Sequence, residues 1–327
     1  MSDFVYLGED LGMGANKVCG ASGGLQVVSH VSNNGSYQLS DGMIGLKSKR
    51  RPMHISSEFG SFYIGDGAHE HGRPVESLDF DRLTGAPEMR ALLYGTLAQY
   101  QRTYGGFDRP ISMMVGLPLQ MMMGEAAKGY QSAVKAWLKG FHKFEADGEN
   151  MKFEVGQVRL TSQPVGALFD FVLDGDGSPI DDRAEVLMDE VGVISVGFNT
   201  LELLVVREQG AVERFTSGNT VGVRRLLELV NRDGLWSLGE LDAKLRAGRL
   251  REELKSVMPI WAREVNGEIE KRWSQTYKRF AKVLVVGGGA LLLKDTLTGQ
   301  FGTKVWVSSD PVMSIARGLY KLSVMKR

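Results

Sequence analysis

The same local pattern is written into this chain twice. In Leu7-Gly8-Glu9-Asp10-Leu11-Gly12-Met13-Gly14-Ala15-Asn16-Lys17 an apolar strand runs into a carboxylate, two glycines uncover the backbone, and a lysine returns on the next strand. Val193-Ile194-Ser195-Val196-Gly197-Phe198-Asn199-Thr200-Leu201-Glu202 repeats strand, glycine turn and strand. Each pattern is followed by strand-helix units, which predicts two similar α/β lobes facing each other across a cleft. A length of 327 residues is enough for two hydrophobic cores.

Hydrophobic period sets the remaining elements. Strands are expected at 4–8, 17–19, 25–28 and 62–64, with Asn33-Asn34-Gly35 as a turn signal, then a helix over 88–103 in which Met89, Leu92, Leu93 and Leu97 share a face. A strand over 111–116 stops at Leu117-Pro118, and an amphipathic helix follows over 125–141. The alternation in 153–160 predicts a strand, and the helix after it opens at Thr161-Ser162-Gln163-Pro164. In the second half, strands are expected at 191–196, 201–206 and 212–215, helices at 221–230, 238–247 and 261–280, strands at 282–286 and 304–307, and a last helix over 312–322 with Pro311 at its entrance.

The glycine turns suggest chemistry. Glycine lets an anion approach the backbone closely, and successive N–H groups form a concave anion site. Asp10 suits a metal held through water, Lys17 suits phosphate oxygens, and Asn199 and Thr200 offer further hydrogen bonds. A tight hairpin with glycine at positive φ accounts for either turn without a ligand. A third element, Val283-Leu284-Val285-Val286-Gly287-Gly288-Gly289-Ala290, ends a buried strand in three glycines before a short helix, where bare backbone can receive phosphate or lie against a nucleoside.

Asp10-x-Gly12-x-Gly14-x-x-Lys17, Gly116-Leu117-Pro118, Gln163-Pro164-x-Gly166-Ala167, Gly197-x-Asn199-Thr200 and Gly287-Gly288-Gly289-Ala290, in that order, resemble the actin-like ATPases, and most closely the plasmid-segregating (ParM-type) and archaeal branch. The resemblance implies a ribonuclease-H-like unit duplicated into two domains, 1–164 plus 312–327 and 165–311, with ATP or ADP and Mg²⁺ between them. Gly12, Met13, Gly14, Ala15, Asn16 and Lys17 then match the first phosphate loop, Gly197, Phe198, Asn199 and Thr200 the second, and Gly287 to Ala290 the adenosine loop. Asp10 matches the metal site, and Gln163 the residue that orients the attacking water. The resemblance further implies ATP hydrolysis, self-association into filaments and a DNA-bound adaptor as possible partner; a non-polymerising adaptor and a small-molecule kinase share the same fold. Ser195 departs from the family, whose second loop usually begins with Asp, and Glu202 on the next strand is not an evident substitute.

Equal numbers of acidic and basic residues give no electrostatic case for nucleic acid or a membrane surface. The single cysteine, Cys19, excludes an internal disulfide framework, and the start of the chain has no basic-then-apolar export pattern, so a cytoplasmic location is expected. Other signals are set aside. Asp174, Asp176, Ser178, Asp182 and Glu185 have calcium-loop spacing, but Pro179 stands where a glycine must turn. His69-Glu70-His71 lacks a third ligand and reads as exposed loop, Lys47, Lys49, Arg50 and Arg51 as a solvated cluster, and Met113, Met114 and Met121 to Met123 as core packing.

Overall fold

The computed structural model describes residues 3–34 and 51–325. Two sheets carry the two halves. In the first, Val5–Leu11 is central: it pairs antiparallel with Ala15–Gly20, which pairs with Gly23–Val28, and it pairs parallel with Ile111–Leu117, beside which lies Glu149–Ser162. The second sheet repeats this plan. Val191–Val196 pairs antiparallel with Leu201–Arg207 and parallel with Lys282–Val286, followed by Val305–Val307. The central strands are continuously apolar and buried because helices cover both faces. This is the duplicated ribonuclease-H-like arrangement of two α/β domains.

The helices that end the two halves hold the lobes together. Gln163–Val172 packs on Val191–Val196, while Ser314–Val324 packs on Val5–Leu11, so each lies on the other half's first strand, and the two helices cross. Small residues permit the crossing: a Cβ on Gly318 would lie 1.8 Å from the Gly166 carbonyl oxygen. Beside it the buried Asp170 accepts from Ser314 Oγ at 2.7 Å and from Arg317 Nε at 2.7 Å, with Lys321 Nζ 3.0 Å away. Separate apolar clusters fill the two lobes, and a third, with Phe171, Val193, Leu284, Ile315 and Leu319, surrounds the crossing.

The first sheet continues beyond its five-strand core through Gly140–Ala146, Met53–Ser57, Gly60–Ile64, Val31–Asn34 and Gly72–Pro74. The strand Glu149–Ser162 joins the two parts: its first half pairs antiparallel with Gly140–Ala146, its second half parallel with Ile111–Leu117, and a register shift falls between Val155 and Gln157.

Three expected spans change. The helix expected over 125–141 is Ala127–Leu138, because Gly140 at φ +122 turns the chain into a strand. The strand expected at 212–215 is instead one 3₁₀ turn, Glu213–Phe215, in which Phe215 points inward. The helix expected over 261–280 is Arg251–Trp273: Val257, Trp261, Val265, Ile269 and Trp273 already give it a buried stripe, and Ser274 at φ +44 ends it. Asn33 and Asn34 end a strand, while Gly35, Lys47, Lys49 and Arg50 lie outside the described residues.

Candidate functional site

The two glycine turns meet at one cleft with a cavity volume of about 290 Å³, lined from one lobe by Asp10 to Ala15 and Lys17 and from the other by Ser195 and Gly197 to Thr200. They are in contact across it, since a Cβ on Gly14 would lie 2.4 Å from Phe198 Cβ. None of Gly12, Gly14 and Gly197 has a positive φ, so close approach, and not left-handed backbone, explains glycine at position 14.

Hydrogen bonding leaves the same groups free in both turns. Ser29 Oγ donates to the Gly12 carbonyl at 2.8 Å and Ser29 N to the Gly14 carbonyl at 3.1 Å. In the second turn the carbonyls of Gly197, Phe198 and Asn199 accept from Val223 N, Arg224 N and Gly222 N at the entrance of helix Val223–Val230. Among the described residues, the amides of Met13, Gly14, Phe198 and Asn199 donate to no protein group. Carbonyls anchored outward and N–H groups left over on both walls make a two-sided anion cradle.

Asp10 lies at the floor of the cleft, 1 % exposed. Its Oδ2 is 2.7 Å from Lys17 Nζ, and its Oδ1 accepts from Gln163 Nε2 at 2.7 Å, which brings three expected site residues together. Ser195 also lines the cleft. Directly opposite it in the strand pair stands Glu202, buried, whose Oε1 accepts from Leu119 N at 2.7 Å. Burial, only partly offset by that amide, and the nearby charge of Asp10 push Glu202 up to about 8.

Several expected residues sit elsewhere. Asn16 is buried behind the sheet, donating to Thr96 Oγ1 at 3.1 Å, because its side chain alternates away from that of Lys17. Of the third element, Gly287 and Gly288 line the cleft but Gly289 and Ala290 do not. Gly287, at φ +90, and Gly289 are close-packed on Val196; Gly288 alone has open space where a Cβ would go. Asn199 lines the cleft, yet its Oδ1 accepts from Arg224 and its amide nitrogen donates to the Leu78 carbonyl of the opposite lobe at 3.5 Å.

Sequence reasoning missed Asp242 and Arg246. Arg246 binds Asp242 at 2.7 Å and the Gly14 carbonyl at 3.3 Å, while Asp242 also lies 3.2 Å from His30 Nε2, so the helix Leu238–Arg246 clasps the opposite lobe. His69, expected in an exposed loop, is half of this contact: it stands 4.9 Å from the His30 ring and against Gly239, and burial followed by His30 lowers its pKa. The only signal in the sequence was the i, i+4 spacing of Asp242 and Arg246, which also describes any solvated helix pair.

Residues 8–166 match the family model for the N-terminal domain of actin-like proteins, and residues 238–299 match that for the C-terminal part of the archaeal, MreB-like actin homologues. The chain belongs to the actin-like proteins. The two matches fall in the two lobes and together span two thirds of the actin-like chain. Solved structures agree in fold. A 15-stranded ParM filament from Clostridium botulinum is 17% identical with a TM-score of 0.77, covering 98% of this chain and 99% of its own. An archaeal actin homolog in complex with ADP is 18% identical with a TM-score of 0.73 and the same coverage. The apo ParM of pSK41 is 15% identical with a TM-score of 0.74, covering 98% and 97%. No curated protein sequence matches the chain. Among the described residues, no helix is long and apolar enough to cross a membrane, and no group of three or more potential ligands forms a metal cluster.

Proposed function

We propose that this actin-like chain binds ATP with Mg²⁺ in the interlobe cleft, hydrolyses it to ADP and phosphate, and uses the nucleotide state to switch its own assembly into filaments. The observation that carries the proposal is the pair of facing turns, each with carbonyls tied back and amides free. A polyphosphate between them accepts from Met13 and Gly14 on one wall and from Phe198 and Asn199 on the other, with Lys17 as its counter-charge. Gly288 leaves open space on the wall where a nucleoside would lie. Gln163 keeps its carbonyl oxygen for an attacking water while its amide holds Asp10. Asp10 is the residue to hold a hydrated Mg²⁺, which when bound neutralises charge on the phosphate oxygens.

Because the nucleotide touches both lobes, binding favours the closed arrangement and loss of the γ-phosphate weakens it. The division 1–164 plus 312–327 against 165–311 then describes the moving bodies. A cytoplasmic role in positioning or segregating DNA, through a DNA-bound adaptor, follows from the family resemblance. Sedimentation with ATP, with ADP and without nucleotide tests the proposal: pelleting with ATP only is expected, whereas a protein that binds ATP and never pellets contradicts the filament half. Ser195 favours a second reading, a nucleotide-binding adaptor without turnover, and phosphate release separates the two.

A further inference from the structure

Ser195 and Glu202 are directly opposed in the antiparallel pair of Val191–Val196 with Leu201–Arg207, so their side chains leave the same face of the sheet. Ser195 lines the cleft and Glu202, fully buried, does not, so the Glu202 carboxyl leaves the cleft-facing side of the sheet one small side chain away from the cleft itself. One oxygen of Glu202 is occupied by Leu119 N, but Oε2 is buried with no partner in the protein. An orphaned carboxyl oxygen is costly unless something meets it. Among the described residues the carboxylates that line the cleft each have protein partners, Asp10 in Lys17 and Gln163 and Asp242 in Arg246 beside His30, so Asp10 meets a hydrated cation with both oxygens shared. Mg²⁺ on a polyphosphate keeps several waters, and their protons require acceptors.

We propose that Glu202 is a second acidic positioning residue for the hydrated Mg²⁺ of the bound nucleotide, reached past Ser195, supplying from the following strand the carboxylate that position 195 lacks. The assignment rests on the nucleotide-binding proposal. It explains why a carboxyl is buried at this point of the floor, close enough to Asp10 to feel its charge. It also explains why the residue in front of it is small.

The test is titration of the full chain with a fluorescent ATP analogue, in Mg²⁺ and in EDTA. Glu202→Gln keeps an acceptor for Leu119 N but cannot ionise, so with little change of shape it removes the carboxylate that a bound cation would favour. Wild type is expected to bind more tightly in Mg²⁺, and Glu202→Gln to lose about tenfold of that gain, the scale of losing a group that supports a metal's ligands, with binding in EDTA unchanged. Adding Ser195→Asp to Glu202→Gln restores the gain, and Ser195→Asp alone adds little, a comparison that holds even if Glu202→Gln folds poorly. A full Mg²⁺ gain in Glu202→Gln, an equal loss in EDTA, no rescue by Ser195→Asp, or a large gain from Ser195→Asp alone each overturns the assignment. Wild type that binds no ATP in either condition overturns the nucleotide site as well, which distinguishes the two failures.

Discussion

Gly14→Ala should weaken nucleotide binding without unfolding either lobe. The new Cβ would stand 2.4 Å from Phe198 Cβ and 2.9 Å from Phe198 Cγ. Carbon atoms in contact prefer about 3.5–4.0 Å, so the two turns must separate by roughly 1 Å or more. Because the nearest atom is a Cβ fixed to the backbone, no rotamer change relieves the clash. Overpacking of this kind costs about 1–3 kcal/mol, and it falls on the closed arrangement alone, giving about a 5- to 150-fold loss of ATP affinity. Gly14 has no positive φ, so alanine is acceptable to the turn itself and the melting temperature should hold. Isothermal titration calorimetry measures the effect, and partner variants sharpen it: Phe198→Gly should restore affinity to Gly14→Ala, while Phe198→Ala, which keeps its Cβ, should not. Unchanged affinity in Gly14→Ala, or equal rescue by both partner variants, would refute the reasoning.

Glu202 bears on stability as well. Its folded pKa, near 8, lies above the unfolded value of 4.5, so the folded state holds the extra proton between those limits; its contribution is fully present below pH 4.5 and is lost as pH rises towards 8. Urea melts should therefore show wild type losing stability relative to Glu202→Gln across this window, by up to about 1.4 kcal/mol per pH unit, and parallel curves would contradict the raised pKa of Glu202. Asp170→Asn leaves Arg317 and Lys321 without their carboxylate at the helix crossing, for a loss of about 3 kcal/mol, the low end for a buried pair because Arg317 keeps contact with solvent. An unchanged urea midpoint would rule that out. Asp242→Asn releases Arg246 and His30 from the clasp between lobes, so small-angle scattering of the nucleotide-free chain should show a larger radius of gyration; an identical curve would mean the clasp does not hold the lobes.

The parts legible in the sequence were those dictated by local physics. Runs such as Ile111–Leu117 and Lys282–Val286 show as strands because both faces are covered, and the paired glycine turns announced the duplicated sheets. The strand Gly140–Ala146 escaped because Trp137 and Leu138 extend an apolar stripe to its edge. Its own signal, His142, Phe144 and Ala146 facing inward between exposed neighbours, has period two and is only seven residues long. Glycines were read correctly as close approach but not always to the right neighbour: Gly289 serves the contact with Val196, and only Gly288 leaves its space open. The clasp was illegible because Gly14, His30 and Arg246 meet only once both lobes are assembled. Glu202 was set aside for a different reason: it lies on the following strand, and only the register of the hairpin sets it directly beside Ser195.

A structure determined with ATP and Mg²⁺ bound tests the central claim most directly. The account predicts the phosphate chain between the two turns, within hydrogen-bonding distance of the amides of Met13 and Gly14 on one side and of Phe198 and Asn199 on the other. Phosphates contacting a single lobe, or a nucleotide bound outside this cleft, would contradict it.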